Sequence, residues 1–142
     1  MPTVRQLLEA KTPAVHSTPP DAPVLDALRT MAEHGIGAVL VMDGARLVGI
    51  LSERDYARKV VLHGRTSADT PVRDIMSVDV VTAAPDDSVE HCMQLMTERR
   101  IRHLPVLEAG EVTGIVSIGD LVKAVIEDQQ QALDQLQRYI AS

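Results

Sequence analysis

Gly49-Ile50-Leu51-Ser52-Glu53-Arg54-Asp55 returns 65 residues later as Gly114-Ile115-Val116-Ser117-Ile118-Gly119-Asp120. Working outward from this pair, the same shift lays Val15–Gly64 on Val80–Gln129 without a gap. Pro20-Asp21 falls on Pro85-Asp86, Met31 on Met96, Glu33 on Glu98, Ile36 on Ile101 and Val41 on Val106. A fainter echo precedes each copy: Val4-Arg5-Gln6-Leu7-Leu8 parallels Val72-Arg73-Asp74-Ile75-Met76. A period of this kind means one supersecondary unit used twice.

Each copy reads as β-α-β-β-α after a short leading helix. Strands are expected at Val15–Ser17 and Val80–Thr82, each followed by Pro-Asp at a helix start. The helices carry apolar residues at helical spacing, Val24, Leu25, Leu28, Met31 and Ala32 in one copy and Val89, Met93, Leu95 and Met96 in the other. Two strands follow, Ala38–Met42 and Leu47–Leu51, joined at Asp43-Gly44, a hairpin signal. Their counterparts are His103–Leu107 and Val112–Val116, turning near Ala109-Gly110. A final helix starts at Ser52 or Ser117. One copy of some fifty residues is too small to cover both faces of its sheet alone. The expectation is therefore a single α/β (α+β) module of two repeats packed with pseudo-twofold symmetry. The divisions are residues 4–64 for the first repeat, 65–70 for a linker, 71–128 for the second repeat and 129–142 for a C-terminal helical extension. In that extension Leu133, Leu136 and Ile140 form a narrow apolar seam. It either folds back on its own module or meets another molecule.

Composition closes several classes. The 142 residues carry a net charge of −6 and only two aromatic side chains, Tyr56 and Tyr139. A duplex binder would show a basic excess, and a single-strand binder would need stacking platforms; no nucleic acid is expected. No apolar run approaches the roughly 18 residues that span a bilayer, and residues 1–10 hold no signal core, so no membrane association is expected. The single cysteine, Cys92, forms no internal disulfide, which suits a cytoplasmic setting. It lies within an amphipathic helix, aligns with Ala27 of the first copy, and reads as an inert, buried thiol. The five histidines and Cys92 lack metal-ligand spacing. No phosphate loop, dinucleotide fingerprint or nucleophile–base pair is present, so no enzymatic activity, catalytic cofactor or metal is expected.

Ser followed three residues later by Asp is a capping pattern, and capping alone accounts for both Ser52–Asp55 and Ser117–Asp120. A helix N-terminus is also a natural anion site, and a carboxylate one turn in is able to accept both hydroxyls of a ribose.

The twice-occurring Gly-Ile-x-Ser-x-x-Asp, the run Ile101-Arg102-His103-Leu104-Pro105-Val106 and the helix Ser88–Arg99 resemble the cystathionine-β-synthase (CBS) domain family, over nearly the whole chain from Val4 to Ile126. That resemblance implies a stand-alone regulatory pair binding AMP, ADP, ATP, NAD or S-adenosylmethionine, with Asp55 and Asp120 as ribose ligands. It also implies clefts shared between repeats. One combines Ser52, Arg54 and Asp55 with Thr82, Ile101, Arg102 and His103. The other combines Ser117, Gly119 and Asp120 with Ser17, Ala22, Ile36 and Gly37. Arg102 and His103 are either phosphate ligands or a surface charge and a structural imidazole. Gly37-Ala38 and Leu40 replace the basic pair and Pro105 in the first repeat, which makes the adjoining cleft neutral and roomier. The expected partners are an adenosyl small molecule, a second copy in a homodimer, and an unidentified regulated protein. The alternative is a ligand-free dimerisation scaffold.

Overall fold

The computed structural model describes residues 2–10 and 15–141. Met1, at the head of the leading segment, and Ser142, at the end of the C-terminal extension, lie outside them. The chain divides into two compact units. One takes Ala14–Val81 and Gly110–Val112; the other takes Met1–Pro13, Thr82–Ala109 and Thr113–Ser142.

In the unit built on the first repeat, β1 (Ser17–Thr18), β2 (Ala38–Asp43) and β3 (Arg46–Ser52) form a sheet in that order. β1 is parallel to β2, Ser17 facing Leu40, and β2 is antiparallel to β3, from Ala38 against Ser52 to Asp43 against Arg46. Gly44 makes the turn at φ +62°. α2 (Val24–His34) turns Val24, Ala27 and Met31 inward at helical spacing. They join Val39, Val41, Leu51, Val60, Val72 and Ile75 in a fully aliphatic core. Gly35 ends α2 in the left-handed region at φ +60°, which costs glycine nothing.

The unit built on the second repeat buries the equivalent positions: Val89, Cys92 and Met96 of α4 (Val89–Arg99), and Leu104, Val106 and Val116 of the hairpin formed by β4 (His103–Glu108) and β5 (Glu111–Ser117). The repeat noticed in the sequence is thus a repeat of buried positions. The helix assignment needs one correction of detail: Cys92 and Ala27 are core, whereas Ala32 is exposed.

Other expectations also change. The strand expected at 80–82 is absent; a single parallel bridge, Ala83 with Val106, stands in its place. The cause is Pro105. In the first repeat Leu40 donates its N–H to the His16 carbonyl at 3.1 Å; Pro105, at the equivalent position, has no N–H to donate. The second leading helix is only a 3-10 turn, Val72–Asp74, and the helix after Ser52 is short, α3 (Glu53–Tyr56), running into a π-helical turn at Ala57–Val61. As expected, the helix after Ser117 is the longer one: α5 (Ile118–Ala141) runs 24 residues and takes in the C-terminal extension. It does not fold back: Leu133, Leu136 and Ile140 are 53, 54 and 73% exposed.

The leading segments dock crosswise. α1 (Val4–Ala10) belongs to the second-repeat unit, its backbone N–H groups at Val4 and Arg5 donating to the carbonyls of Asp87 and Pro85. Residues 72–77 belong to the first-repeat unit, where Ser77 and Ile50 exchange backbone hydrogen bonds of 2.9 and 3.0 Å. The motif glycines make room for this docking. A Cβ on Gly49 would stand 2.7 Å from Met76 Sδ, and one on Gly114 would stand 2.8 Å from Leu8 Cδ2.

Candidate functional site: two capped carboxylates

β3 ends at Ser52 in extended conformation, and α3 begins at the next residue. Ser52 Oγ accepts the Asp55 N–H at 3.2 Å. In return Asp55 Oδ2 accepts the Ser52 N–H at 2.9 Å and its hydroxyl at 3.1 Å. Both partners of a capping box are present. The carboxylate is held inward, its side chain 16% exposed. Its second oxygen, Oδ1, lies 3.4 Å from Lys59 Nζ, one helical turn on. Lys59 is itself anchored, donating to the Ile75 carbonyl at 2.9 Å. Sequence reading missed Lys59; the signal for it was the i,i+4 spacing from Asp55.

The second repeat rebuilds the arrangement. Ser117 N–H donates to Asp120 Oδ2 at 2.9 Å, and Asp120 N–H donates to Ser117 Oγ at 3.1 Å. Ala124 stands where the first repeat has Lys59. Asp120 also lines a cavity of about 300 Å³ between α1 and α5, with Lys123 and Glu127 on its own side and Gln6, Leu7 and Ala10 opposite.

Each helix start is tied to the entrance of its own repeat's second strand. Glu53 N–H donates to the Gly37 carbonyl at 3.0 Å, and Ile118 N–H donates to the Arg102 carbonyl at 2.9 Å. Within the first-repeat unit, then, Gly37, Ser52 and Asp55 are neighbours. Ile36 precedes them, its N–H bonded to the Met31 carbonyl, and Ser17 lies on β1. Ala22 sits in the turn before α2, its carbonyl accepting from Val72 N–H. Arg54 is exposed. Within the second-repeat unit the Arg102 carbonyl accepts from Ile118, the residue after Ser117; Arg102 is exposed, and Ile101 and His103 flank it, half-buried. Thr82 and Gly119 are exposed, Thr82 leading into the bridge at Ala83. Ser17, Ala22, Ile36, Gly37, Ser52, Arg54 and Asp55 thus belong to the first-repeat unit, and Thr82, Ile101, Arg102, His103, Ser117, Gly119 and Asp120 to the second-repeat unit.

Cys92 has no exposed surface, and burial, with Asp87 nearby, pushes its thiol up to about 11. Such a thiol is neutral and unreactive at physiological pH. Among the described residues no group of three or more His, Cys, Asp or Glu is placed to hold a metal. No described helix is long and apolar enough to cross a membrane.

The model of the CBS domain matches twice, at residues 4–62 and 72–127, and the chain belongs to that family. A mitochondrial CBS domain-containing protein of Arabidopsis thaliana is 42% identical over 125 residues, 84% of this chain and 61% of its own length. The CBS domain-containing protein YhcV of Bacillus subtilis is 34% identical over 113 residues, 80% of either chain. A CBS-domain structure from Burkholderia ambifaria superposes with a TM-score of 0.88 at 51% identity, covering 90% of this chain and 96% of that one. The CBS domain pair of MJ0100, solved with 5′-methylthioadenosine and S-adenosyl-L-methionine, shares the fold at 24% identity and a TM-score of 0.79, over 90% of this chain and 98% of that one. The chain is therefore a mixed α+β tandem CBS pair, a regulatory type of module.

Proposed function

We propose that this chain is a sensor of adenosyl compounds, taking AMP, ADP, ATP, NAD or S-adenosylmethionine as ligand and signalling to a partner protein through a change of conformation. Asp55 and Asp120 are its ribose ligands. The single observation that carries the reading is the pair of carboxylates, each fixed at a helix start by its own cap. A preformed acceptor avoids the ordering cost of binding, and a hydrogen bond to a charged acceptor is worth roughly 1.5–3 kcal/mol. MJ0100, with this fold, holds adenosyl compounds.

In this reading each ligand is shared between repeats. Ser52, Arg54 and Asp55 act with Thr82, Ile101, Arg102 and His103; Ser117, Gly119 and Asp120 act with Ser17, Ala22, Ile36 and Gly37. Arg102 and His103 meet phosphate, which leaves the cleft beside Gly37 for a neutral or larger adenosyl group. The module performs no chemistry, works as a homodimer and resides in the cytoplasm. A ligand shifts the conformation only by binding one pose more tightly than another.

The capping boxes favour a second reading. They give both Ser–Asp pairs a structural task with no ligand at all, as a pure dimerisation scaffold requires. A melting series against the five compounds separates the two. A ligand at 100 times its dissociation constant adds roughly 2.7 kcal/mol to stability, so the sensor reading expects an upward shift with at least one compound. No shift at millimolar concentration of any of them leaves the scaffold.

A further inference from the structure

α3 does not continue as a regular helix. After Tyr56 it passes into the π-helical turn Ala57–Val61, a kind of turn that recurs at functional positions. Two cations at and just beyond this turn reach residues 72–77, the segment that leads into the second repeat. Lys59 donates to the Ile75 carbonyl at 2.9 Å, and Arg65 pairs with Asp74 at 2.8 Å. Ala124 and Gln130 stand at those places in the second repeat, so neither cation is part of what was duplicated. Lys59 Nζ also lies 3.4 Å from Asp55 Oδ1. One ammonium group thus joins the capped carboxylate to the segment.

We infer that Lys59 is a positioning residue that couples occupancy of Asp55 to residues 72–77. The inference deepens the sensor reading, on which its ligand step rests, by naming where the signal leaves the first carboxylate. Asp55 Oδ2 already accepts both the Ser52 N–H and its hydroxyl. Two bonds fill an oxygen's lone pairs, which leaves Oδ1 for a ribose, the oxygen that Lys59 faces. A hydroxyl donating there displaces the ammonium. The Lys59 side chain is 44% exposed, so water is at hand to receive it. The Ile75 carbonyl then loses a charged donor, worth more than a neutral one. Ser77, at the end of the segment, is held by its exchange of hydrogen bonds with Ile50, and the loosening is read there. Coupling of this kind is reciprocal: whatever fastens the segment through Lys59 also opposes the ribose.

The test begins on the full chain without ligand, by amide hydrogen exchange. Lys59→Met keeps the aliphatic stem and removes the ammonium. It is expected to speed exchange of the Ile50 and Ser77 N–H groups by about threefold or more. The Leu40 N–H, bonded to the His16 carbonyl in the same unit, is expected to keep its rate. Asp55→Asn, which retains an oxygen for the cap, is expected to act like Lys59→Met and to add nothing to it. Millimolar AMP or S-adenosylmethionine is then expected to reproduce the acceleration in the unaltered chain and not in Lys59→Met. Unchanged exchange in Lys59→Met, equal acceleration at Leu40, additive effects of the two substitutions, or a ligand response that survives in Lys59→Met overturns the inference. Should neither compound shift the melting temperature, the sensor reading fails for them, and the ligand-free comparison still decides the coupling.

Discussion

Arg100 closes α4 at φ +55°, where the first repeat closes α2 with Gly35 at φ +60°. A side chain in that region carries a strain of roughly 1–2 kcal/mol that glycine lacks. Arg100→Gly is expected to raise stability by about 1 kcal/mol in denaturant unfolding, less the extra freedom glycine gives the unfolded chain. A lower midpoint would show that the arginine side chain contributes more than the strain. Cys92 offers a second test. Its thiol is neutral in the folded protein until about pH 11, and freer when unfolded. Its stabilising effect is therefore complete below the unfolded value and is lost as pH rises from about 9 towards 11, by up to about 1.4 kcal/mol per pH unit. Cys92→Ala is expected to flatten that part of the stability–pH curve; an unchanged slope would assign the loss to other groups.

The two motif glycines look alike in sequence and differ in their neighbours. A methyl group on Gly114 meets only the tip of Leu8, a flexible side chain. On Gly49 it also meets the Ser77 carbonyl at 3.0 Å, on a backbone held by its bonds to Ile50. Gly49→Ala is expected to cost about 1–3 kcal/mol, as overpacking does, and Gly114→Ala distinctly less, with Leu8→Ala relieving it. Equal costs in urea unfolding would mean that the crosswise docking of the leading segments is not what these glycines serve. Element order was legible in the repeat because the same positions are buried twice. The bounds of the elements were less so. The missing strand at 80–82 turned on one absent N–H, at Pro105, a loss visible only once register is known. The Ser–Asp pairs were found by spacing alone, but Lys59 escaped because nothing in a repeat points to a residue that only one copy possesses.

For the molecule as a whole, the duplication has placed a capped carboxylate at the same point of each repeat. Asp55 lies beside Lys59, and its helix start is tied to the Gly37 carbonyl; in the second repeat residue 124 is alanine and the helix start is tied to the Arg102 carbonyl. A cation beside a carboxylate competes with a ribose for the same oxygen, so Lys59 is expected to lower the affinity of the site at Asp55. Lys59→Ala is expected to strengthen binding at the first carboxylate alone; weaker binding there would make the lysine a ligand contact instead. Asparagine in place of either aspartate keeps an oxygen for the cap and removes the charge, so it separates binding from folding where alanine would confound them. Titration calorimetry of the intact chain and of Asp55→Asn, Asp120→Asn and the double variant, with the compound that gives the largest melting shift, reads the two carboxylates directly. The prediction is at least a tenfold loss of affinity in each single variant for one class of site, and no heat of binding in the double variant, at unchanged apo stability. Full affinity in the double variant would contradict it and leave Asp55 and Asp120 as helix caps only.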